Sequence, residues 1–490
     1  MTSAGPPPMG RQLSDLAARV PDAPALTFQA RTVTFGELDR LANQAARTFA
    51  VRGVRQGDVV TIGLPNGIEC VVAAWAAWKL GASPQPLSPA LPARELEAVI
   101  ELADPALLVG FAPQGGRASV LAGEVVDGSH SDAPLPDAVS PSWKIMTSGG
   151  STGRPKLIMA GSTSALDPEA GRLLQLEPGG VVFAPGPLYH NTGFQTCHTG
   201  LLMGNHVILL DRFSPETTLA AVQAHRVDVL VLVPTMMLRI LRYLEESRAE
   251  VDLSSLRVVW HLAAPCPPWL KRAWIDLIGA DVLWELYAGT ELISITTVNG
   301  AEWLRRPGTV GRPLIGDMAV LGPDGTALPP GEIGDIYMRG AAGAAPTYRY
   351  IGAEATTRGE WTTLGDIGWM DADGYLYLSD RRTDLILAGG ANIYPAEVEG
   401  AILEHPDVLS AVVVGLPDED LGQRVHAVVQ ASRPLDEQEL RAFVAERLIR
   451  YKQPRSYRFV DEHLRDDAGK VRRSAIRDAE TQLTPTDLPR

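Results

Sequence analysis

The sequence predicts an α/β fold with an attached β subdomain, followed by a small, mobile α+β domain at the C-terminus. Helical and strand patterns alternate over the first part of the chain, short strands separated by Pro/Gly turns follow residue 311, and a compact mixture of both patterns begins after residue 381. The chain has 490 residues, whereas single hydrophobic cores stop growing near about 250–300 residues. We therefore expect at least two domains, residues 1–382 and residues 383–490.

The first part of the chain alternates between helix and strand. Apolar residues at helical spacing predict helices over residues 34–49 and 68–80, and buried apolar runs predict strands over 58–64 and 81–87. Such alternation predicts a parallel sheet with helices on its faces. Residues 1–12 lack the apolar core of a signal peptide, and we expect a short flexible lead there.

The same pattern resumes after residue 143. A strand is predicted to end at residues 145–146 and to lead into a glycine-rich loop, and helices are predicted over 215–224 and 236–248. Further strands are predicted over 181–184, 206–210, 227–233, 256–260 and 282–287. From residue 311 the turn sequences PDG and ADG predict β-hairpins, which would form the attached β subdomain.

The C-terminal stretch is predicted to fold as a domain of its own. Helices are predicted over 395–403 and 435–449, and strands over 408–414 and 425–431. About 110 residues are enough for a small domain. The last residues, QLTPTDLPR, are expected to fray.

The composition excludes several classes of function. The formal net charge of -14 disfavours a nucleic-acid partner, and the apolar runs are too short for a membrane span. Cys70, Cys197 and Cys266 lie far apart and form no CxxC pair, so we expect neither a zinc site nor a redox dithiol, and a reducing cytoplasm fits best. The basic segment RLIRYKQPR, residues 447–455, is either a grip for a small phosphorylated ligand or a solvated helix end.

The segment TSGGSTGRPK, residues 147–156, has the composition of a phosphate-binding loop. Its glycines let backbone N–H groups approach phosphate oxygens, its hydroxyls add donors, and Lys156 adds positive charge. A serine- and glycine-rich surface loop is the alternative interpretation. The segment is not a Walker loop, in which lysine directly follows glycine, because Arg154 and Pro155 separate Gly153 from Lys156.

This loop resembles that of the adenylate-forming superfamily, which comprises acyl-CoA synthetases, firefly-type luciferases and peptide-synthetase adenylation domains. The family loop reads (S/T)-S-G-(S/T)-T-G-x-P-K. The residues that fit it, and for which the resemblance implies nucleotide binding, are Ser148, Gly150, Ser151, Thr152, Gly153, Pro155 and Lys156. The GGSTG form is most similar to ligases for bile acids and steroid side chains, which implies a bulky hydrophobic acid as substrate.

A second motif, YAGTE at residues 287–291, resembles the YGxTE motif of the same superfamily. The resemblance implies that Tyr287, Ala288 and Gly289 border the nucleotide, that Thr290 contacts a phosphate and that Glu291 holds Mg²⁺. Magnesium prefers hard oxygen ligands, which a carboxylate beside the phosphates supplies. A surface acid is the alternative interpretation of Glu291.

Three further segments of the first domain match in the family's order. Asp366 in TLGD resembles the residue that accepts hydrogen bonds from the ribose hydroxyls, and Arg381 resembles the arginine that reaches the ribose or a phosphate. His190 in PLYH resembles the residue that borders the acyl pocket. Ala263, Ala264 and Pro265 resemble the family's adenine-flanking segment. A turn-capping acid and a structural histidine are the alternatives for Asp366 and His190.

Two motifs of the C-terminal stretch complete the resemblance. Gly390, in AGGANIYPAE, resembles the glycine that borders the pantetheine tunnel once the small domain has rotated, with Thr383 at the hinge. Lys470, in AGKVR, resembles the lysine that joins the carboxylate and the α-phosphate, where a cation between two anions lowers the barrier. Asp466 and Asp467 stand where small or hydroxyl residues are usual, and this acidity raises the question of whether Lys470 is misplaced.

The resemblance implies an ATP-dependent, AMP-forming acyl-CoA ligase that binds a carboxylic acid, its acyl-adenylate, coenzyme A and Mg²⁺, with a homodimer as a family-level expectation. Within the family, two alternatives stay open: thioesterification alone, with an adenylate made by another enzyme, and loading of a carrier-protein thiol. A non-catalytic nucleotide-binding regulator is the alternative from another class. The retained Lys156, Glu291, Asp366 and Lys470 argue against the regulator.

Overall fold

The structure, a computed structural model, describes residues 5–149, 155–466 and 469–482. The α-helices of these residues are α1 Met9–Arg19, α2 Phe35–Val51, α3 Ile68–Lys79, α4 Ala93–Ala103, α5 Asn191–Leu202, α6 Pro215–His225, α7 Pro234–Ser247, α8 Pro268–Ile278, α9 Gly300–Arg305, α10 Pro395–Ile402, α11 Glu437–Ala445 and α12 Arg473–Gln482.

The strands of the described residues up to the end of the parallel core are β1 Pro24–Phe28, β2 Arg31–Thr34, β3 Val59–Ile62, β4 Ser83–Pro86, β5 Leu107–Val109, β6 Ala118–Val120, β7 Ile145–Gly149, β8 Pro155–Ala160, β9 Val181–Phe183, β10 His206–Leu209, β11 Val229–Leu232, β12 Val258–Leu262 and β13 Leu283–Tyr287. The later strands are β14 Ile295–Asn299, β15 Thr309–Ile315, β16 Asp317–Leu321, β17 Gly334–Arg339, β18 Tyr348–Ile351, β19 Thr356–Arg358, β20 Trp361–Met370, β21 Leu376–Arg381, β22 Ile386–Ala388, β23 Ala391–Ile393, β24 Val408–Asp418, β25 Gly422–Ala431 and β26 Ser456–Val460.

The largest sheet joins the parallel core to the β subdomain. Its order is β16-β17-β20-β21-β15-β14-β13-β12-β11-β9-β10-β1-β2. The strands from β13 to β1 run parallel, and the sheet becomes antiparallel from β14 onward. The predicted parallel sheet is therefore confirmed, whereas the β subdomain is a continuation of this sheet, since β14 pairs with both β13 and β15.

Two smaller sheets complete the large domain. A four-stranded parallel sheet has the order β4-β3-β5-β6, and a three-stranded antiparallel sheet has the order β18-β8-β7. The main core includes Trp75 and Trp78 of α3, neither of which is exposed, and α3 is apolar on all sides because it packs between neighbours. This burial explains why an unbroken apolar run forms a helix here.

Local signals place several helix starts. The Thr34 hydroxyl accepts a hydrogen bond from the Glu37 backbone N–H at the start of α2, and the Ser214 hydroxyl accepts one from Thr217 at the start of α6. Both are N-caps that satisfy backbone donors left without a partner inside the helix. Pro215 follows Ser214 at the first helical position, where its missing N–H costs nothing.

Two expectations about elements are wrong. Residues 1–12 were expected to form a flexible lead, but α1 begins at Met9, whose side chain is fully buried, so its apolar face is packed into the core. The strand expected to end at residues 145–146 instead begins at Ile145 and runs to Gly149, because it pairs along its whole length with β8. Most of the last segment, from residue 483, lies outside the described residues.

The C-terminal part builds a separate core. Its five-stranded sheet contains β22 to β26, and its buried cluster includes Ile386, Val413 and Tyr457. The guanidinium of Arg242, on α7 of the large domain, donates hydrogen bonds to the carbonyl oxygens of Leu403 and His405, at 3.2 Å and 3.1 Å. Within the described residues no helix is both long and apolar enough to cross a membrane.

Candidate active site

The carboxyl ends of four neighbouring parallel strands bring the predicted site segments together. Strands β13, β12, β11 and β9 are adjacent in that order. Their carboxyl ends lead into Ala288, Ala263, Val233 and the loop that holds His190. Ligands of open α/β sheets bind in the crevice outside the carboxyl ends of the strands, so this edge is the candidate site.

The predicted phosphate loop joins two paired strands. Ser148 on β7 lies opposite Lys156 on β8, and Gly149 lies opposite Pro155. Four predicted residues of the loop, Gly150, Ser151, Thr152 and Gly153, lie outside the described residues, as does Asp467 near the C-terminus.

Glu291 is the centre of a buried cluster of polar groups. Its side chain is 7% exposed, and its Oε1 accepts a hydrogen bond from the Tyr350 hydroxyl at 2.5 Å. The Lys156 ammonium lies 3.8 Å from the same oxygen and 3.9 Å from the centre of the Tyr350 ring. Burial lowers the pKa of Lys156, and the negative charge of Glu291 opposes this shift.

The segment that carries Glu291 is closely packed. A Cβ atom on Gly289 would overlap the Leu364 side chain and would lie 2.7 Å from Glu291 Oε2, so a larger residue here would displace the Glu291 carboxylate or Leu364. Thr347 donates its hydroxyl to the Glu291 carbonyl oxygen at 2.7 Å. Ala288 and Thr290, on either side of Gly289, are half-buried at the end of β13.

Asp366 contacts two other predicted residues. Its Oδ2 accepts a hydrogen bond from the Tyr287 hydroxyl at 2.7 Å, and its Oδ1 lies 3.3 Å from Nε of Arg381. Asp366 and Arg381 are direct partners in the pairing of β20 with β21. Burial and the neighbouring Asp366 raise the pKa of the Tyr287 phenol, which therefore stays a hydrogen-bond donor at neutral pH.

The predicted adenine-flanking segment has an unusual backbone. Ala263 follows β12 directly and has a φ of 70°, a conformation that residues other than glycine rarely adopt. Ala263 and Pro265 are exposed, while Ala264 is half-buried. Backbone strain of this kind clusters at functional sites, and its place beside β13 puts the strained residue on the same edge as Tyr287.

The loop that carries Lys470 docks onto the large domain at the same edge. A Cβ atom on the buried Gly469 would lie 2.8 Å from the Thr235 hydroxyl at the start of α7. Desolvation lowers the pKa of Lys470, and the positive charge of Arg381 adds to this lowering. The negative charges of Asp466 and Glu291 act in the opposite direction. The loop therefore places the exposed Lys470 at the edge where Glu291 and Arg381 of the large domain lie.

Asp466 shapes the loop that carries Lys470. Its Oδ1 accepts a hydrogen bond from the Lys470 backbone N–H at 2.8 Å, and its Oδ2 lies 3.5 Å from Nε2 of His190. His190 immediately precedes α5 of the large domain, and its Nε2 forms no hydrogen bond within the described residues. Asp466 thus caps the turn and contacts the residue predicted to border the acyl pocket.

Gly390 is the predicted residue that the structure does not bring to the cluster. It lies with Gly389 in the two-residue turn between β22 and β23, with φ values of 58° for Gly389 and 81° for Gly390. A Cβ atom on Gly390 would meet no atom within 4 Å. In this arrangement of the domains, the positive φ that the hairpin requires explains why glycine occupies position 390.

Sequence reasoning missed Tyr350, which donates to Glu291 from a strand 59 residues further along the chain. No motif marks Tyr350. The alternation of Tyr348 and Tyr350 on β18 is the signal that could have indicated a shared face.

Comparison with known proteins gives a consistent match over most of the chain. The family described as AMP-binding enzyme matches residues 13–349, and its C-terminal domain matches residues 397–470. The 2-succinylbenzoate–CoA ligase of Bacillus licheniformis is 32% identical over 95% of this chain and 98% of that protein. The sulfoacetate–CoA ligase of Cupriavidus necator is 31% identical over 93% of this chain and 95% of that protein.

Solved structures agree with these relatives. The o-succinylbenzoate CoA synthetase of Bacillus subtilis, in complex with its acyl-adenylate intermediate, superposes with a TM-score of 0.82 at 26% identity, covering 97% of this chain and 99% of that chain. The same enzyme with ATP and a magnesium ion gives a TM-score of 0.81 at 27% identity over 94% of this chain and 98% of that chain.

Proposed function

The chain belongs to the family of AMP-binding enzymes, and from this premise we propose that it activates a carboxylic acid with ATP as an acyl-adenylate and transfers the acyl group to coenzyme A. The proposal rests on one observation above all. The loop of Lys470, on the C-terminal part, packs against Thr235 of the large domain through Gly469 and reaches His190 through Asp466 at 3.5 Å, at the strand edge where Lys156 and Asp366 also lie. Cations from both parts of the chain then face one crevice, as the joining of two anions requires.

In the first step, a carboxylate oxygen of the acid attacks the α-phosphorus of ATP, and the bond from this phosphorus to pyrophosphate breaks. Lys470 would lie between the two anions, and Lys156 and Arg381 would hold phosphate oxygens. Asp366, which already accepts from Tyr287, would accept hydrogen bonds from the ribose hydroxyls. The Ala263–Pro265 segment at the end of β12 would flank the adenine.

Glu291 suits a magnesium ion. It offers a hard carboxylate oxygen, it is buried, and Tyr350 and Lys156 fix the position of Oε1. A bound Mg²⁺ supplies charge neutralisation to the phosphates. The role of Glu291 is to hold that ion, and the role of Tyr350 is to orient the carboxylate.

In the second step, the thiolate of coenzyme A attacks the acyl carbonyl carbon, and the bond from this carbon to the AMP oxygen breaks. We propose that the C-terminal domain, with its boundary near Thr383, rotates between the steps. Lys470 would then leave, and Gly390 would border the path of the thiol. Rotation of a domain about a few hinge residues is a common way to bring different side chains into a site at different steps of a reaction.

Asp466 supports a complete ligase over an enzyme that only performs thioesterification. The acidic residues that precede Lys470 in the sequence raised the question of whether the lysine is misplaced. Asp466 instead accepts a hydrogen bond from the Lys470 backbone N–H, and its negative charge, like that of Glu291, acts against the desolvation that lowers the pKa of the Lys470 ammonium. The proposed acceptor is free coenzyme A, and the proposed setting is a cytoplasmic enzyme, with a homodimer as its assembly.

The two half-reactions are tested separately. With a panel of carboxylic acids, ATP and Mg²⁺, the enzyme is expected to release pyrophosphate in an acid-dependent manner, and to form a thioester when coenzyme A is added. Pantetheine-loaded carrier proteins in place of coenzyme A test the acceptor. Conversion of synthetic acyl-adenylates without any acid-dependent pyrophosphate release would leave only thioesterification, and failure of both assays would contradict the proposal.

A further inference from the structure

Lys144 is a buried cation without a carboxylate partner among the described residues. Its side chain is 2% exposed, and its ammonium donates to Gln195 Oε1 at 2.8 Å, to Asn191 Oδ1, and lies 4.5 Å from the centre of the Trp143 ring. Desolvation lowers the pKa of Lys144 to about 7, and no neighbouring carboxylate opposes this shift. Buried charges in proteins are normally paired, so this ammonium lacks the partner that its burial calls for.

The lysine fixes the orientation of the two carboxamides. An ammonium has donors only, so the amide oxygens of Asn191 and Gln195 must face it, and their NH₂ groups must point away from it. Neither NH₂ group has a hydrogen-bond partner among the described residues, and both side chains are partly exposed. The cluster therefore presents hydrogen-bond donors on the partly exposed side of the two carboxamides, with the Lys144 amine behind them.

The cluster lies next to the candidate site. Asn191 is the first residue of α5 and directly follows His190, which contacts Asp466 at 3.5 Å. Gln195 lies five residues beyond His190, which corresponds to about 7 Å along the helix axis. The first turn of α5 contains no acidic residue, so the positive end of the helix dipole adds to the charge of Lys144.

We propose that Lys144, Asn191 and Gln195 form a subsite for a second anionic group, a carboxylate or a sulfonate, on the acid that the enzyme activates. This inference rests on the proposed function, because it names the substrate class of the same site. The reacting carboxylate lies near His190, and the second anionic group lies further along α5. A bulky hydrophobic acid meets this requirement when it carries the second anionic group at its far end.

The experiment compares pairs of acids that differ only in the second anionic group: 2-succinylbenzoate with its analogue lacking the ring carboxylate, and sulfoacetate with propionate. Acid-dependent pyrophosphate release is measured for each. We expect the wild type to prefer the doubly anionic member. Lys144→Met is expected to lower kcat/KM for that member about 10- to 100-fold, mainly through KM, because it frees the two carboxamides whose N–H groups donate to the anion, and one hydrogen bond to a charged group is worth this range. Activity with the other member is expected to stay within about threefold of wild type.

Two further variants control for folding. Gln195→Leu leaves Lys144 in place and is expected to show the same selective loss in a smaller degree. Lys79→Met removes another buried ammonium, one paired with Asp39 at 2.7 Å, and is expected to leave the preference between acids unchanged. Thermal melting of each variant verifies that it is folded.

The outcomes separate the inference from the function on which it rests. A preference of the wild type for the singly anionic acids, or an equal loss for both members in Lys144→Met and Gln195→Leu, overturns the subsite and leaves the ligase intact. Absence of pyrophosphate release with every acid overturns the proposed function itself, and the subsite with it.

Discussion

At the scale of single residues, the charge of Glu291 is the feature on which the candidate site depends. Its carboxylate is nearly buried, and among the described residues its hydrogen bond and its ion pair both involve Oε1, through the Tyr350 hydroxyl and the more distant Lys156. A buried carboxylate costs free energy unless it is paired. Phosphate-bound magnesium is the partner that would make this arrangement favourable, and the strength of that interaction can be measured.

We expect Glu291→Gln to lower the rate of pyrophosphate release about 100-fold, because one preorganised charge at a reacting phosphate contributes about 100- to 1,000-fold. The variant should also need more Mg²⁺ for half-maximal activity. Initial rates over a magnesium titration measure both effects. Glu302→Gln is the matched control, since Glu302 also accepts from a tyrosine hydroxyl, that of Tyr375, but lies outside the site. Wild-type rates of Glu291→Gln at low magnesium would show that the assignment is wrong.

The single residues differ in how far the sequence could predict them. Asp366 and Tyr287 both lie in recognisable motifs, but their hydrogen bond joins positions 79 residues apart and follows only from the folded sheet. Lys144 carries no local signal, and the signal for Tyr350 is limited to its alternation with Tyr348 on β18. A tyrosine on an exposed-looking strand and a lysine before an apolar strand read as ordinary surface residues, and only the packing of the folded chain buries them.

At the scale of elements, the ends of strands and hairpins store conformational strain at the site. Ala263, at the end of β12, has a φ of 70°, and the left-handed region costs an L-residue roughly 1–2 kcal/mol. Glycine adopts this region without that cost, although it loses about 0.5–1 kcal/mol through the greater freedom of its unfolded state. The difference between these terms sets the expected effect of a glycine here.

We expect Ala263→Gly to raise the free energy of unfolding by up to about 1 kcal/mol, because relief of strain exceeds the entropic loss. Ala264→Gly is the control, since Ala264 has no positive φ and should lose about 0.5–1 kcal/mol. Urea denaturation of both variants gives the comparison. If Ala263→Gly were as destabilising as Ala264→Gly, the backbone at Ala263 would not be strained in solution.

The hairpin between β22 and β23 has two competing reasons for its glycines. The positive φ of Gly390 is one reason, and the proposed path of the thiol is the other. Asparagine distinguishes between these two reasons. It tolerates the left-handed region better than other residues, but its side chain would still obstruct the proposed path of the thiol. We expect Gly390→Asn to keep the melting temperature and the rate of pyrophosphate release near wild type and to slow thioester formation from a supplied adenylate at least tenfold.

Gly390→Leu should show the same defect together with a loss of stability, since leucine has a side chain but does not tolerate the left-handed region. Wild-type thioester formation by Gly390→Asn would place the path of the thiol elsewhere. Loss of stability without a change in either half-reaction would leave the turn conformation as the sole role of this glycine.

Elements with strong periodicity were predicted well, whereas α5 and β8 were missed. The sequence of α5, NTGFQTCHTGLL, contains Gly193 and Gly200, which lower its helix propensity. Tertiary packing overrides this preference, because Phe194 and His198 pack against the Trp78 ring at 5.9 Å and 4.8 Å. No pattern within α5 itself contains that information.

At the scale of the whole molecule, a network of charges connects the loop of Lys470 to the proposed hinge. Glu399 lies 2.9 Å from Arg465 and also contacts Arg473, and Arg473 lies 3.1 Å from Asp384, which follows Thr383. The same Arg465 donates to the Gly469 carbonyl oxygen beside Lys470, at 3.2 Å. The loop and the hinge therefore belong to one packed unit, and rotation at the hinge would move Lys470 as a rigid part of it.

The arrangement of the two parts could not be predicted from the sequence. Two folding units follow from length and from the change of pattern near residue 381, and their boundary stays a prediction. Besides the hydrogen bonds of Arg242, their contacts include pairs at the surface: Arg472 forms two hydrogen bonds of 3.0 Å with Glu95, and Asp466 lies 3.5 Å from His190. Such surface pairs stabilise an arrangement by about 0–1 kcal/mol each, which is weak enough for a second arrangement to compete.

The Lys470→Ala variant tests whether the C-terminal domain adopts a second arrangement between the two half-reactions. Because the loop of Lys470 packs against the large domain at the edge where Glu291 and Arg381 lie, we expect its loss to slow acid-dependent pyrophosphate release about 100- to 1,000-fold. Thioester formation from a supplied acyl-adenylate should change by less than about threefold, since rotation removes the lysine before that step. Lys452→Ala is the control: Lys452 also belongs to the C-terminal domain but pairs with Glu397, at 2.6 Å. Rapid-quench measurement of each half-reaction gives both rates. Equal damage to the two steps would mean that Lys470 does not leave the site, and the domain would then not rotate between them.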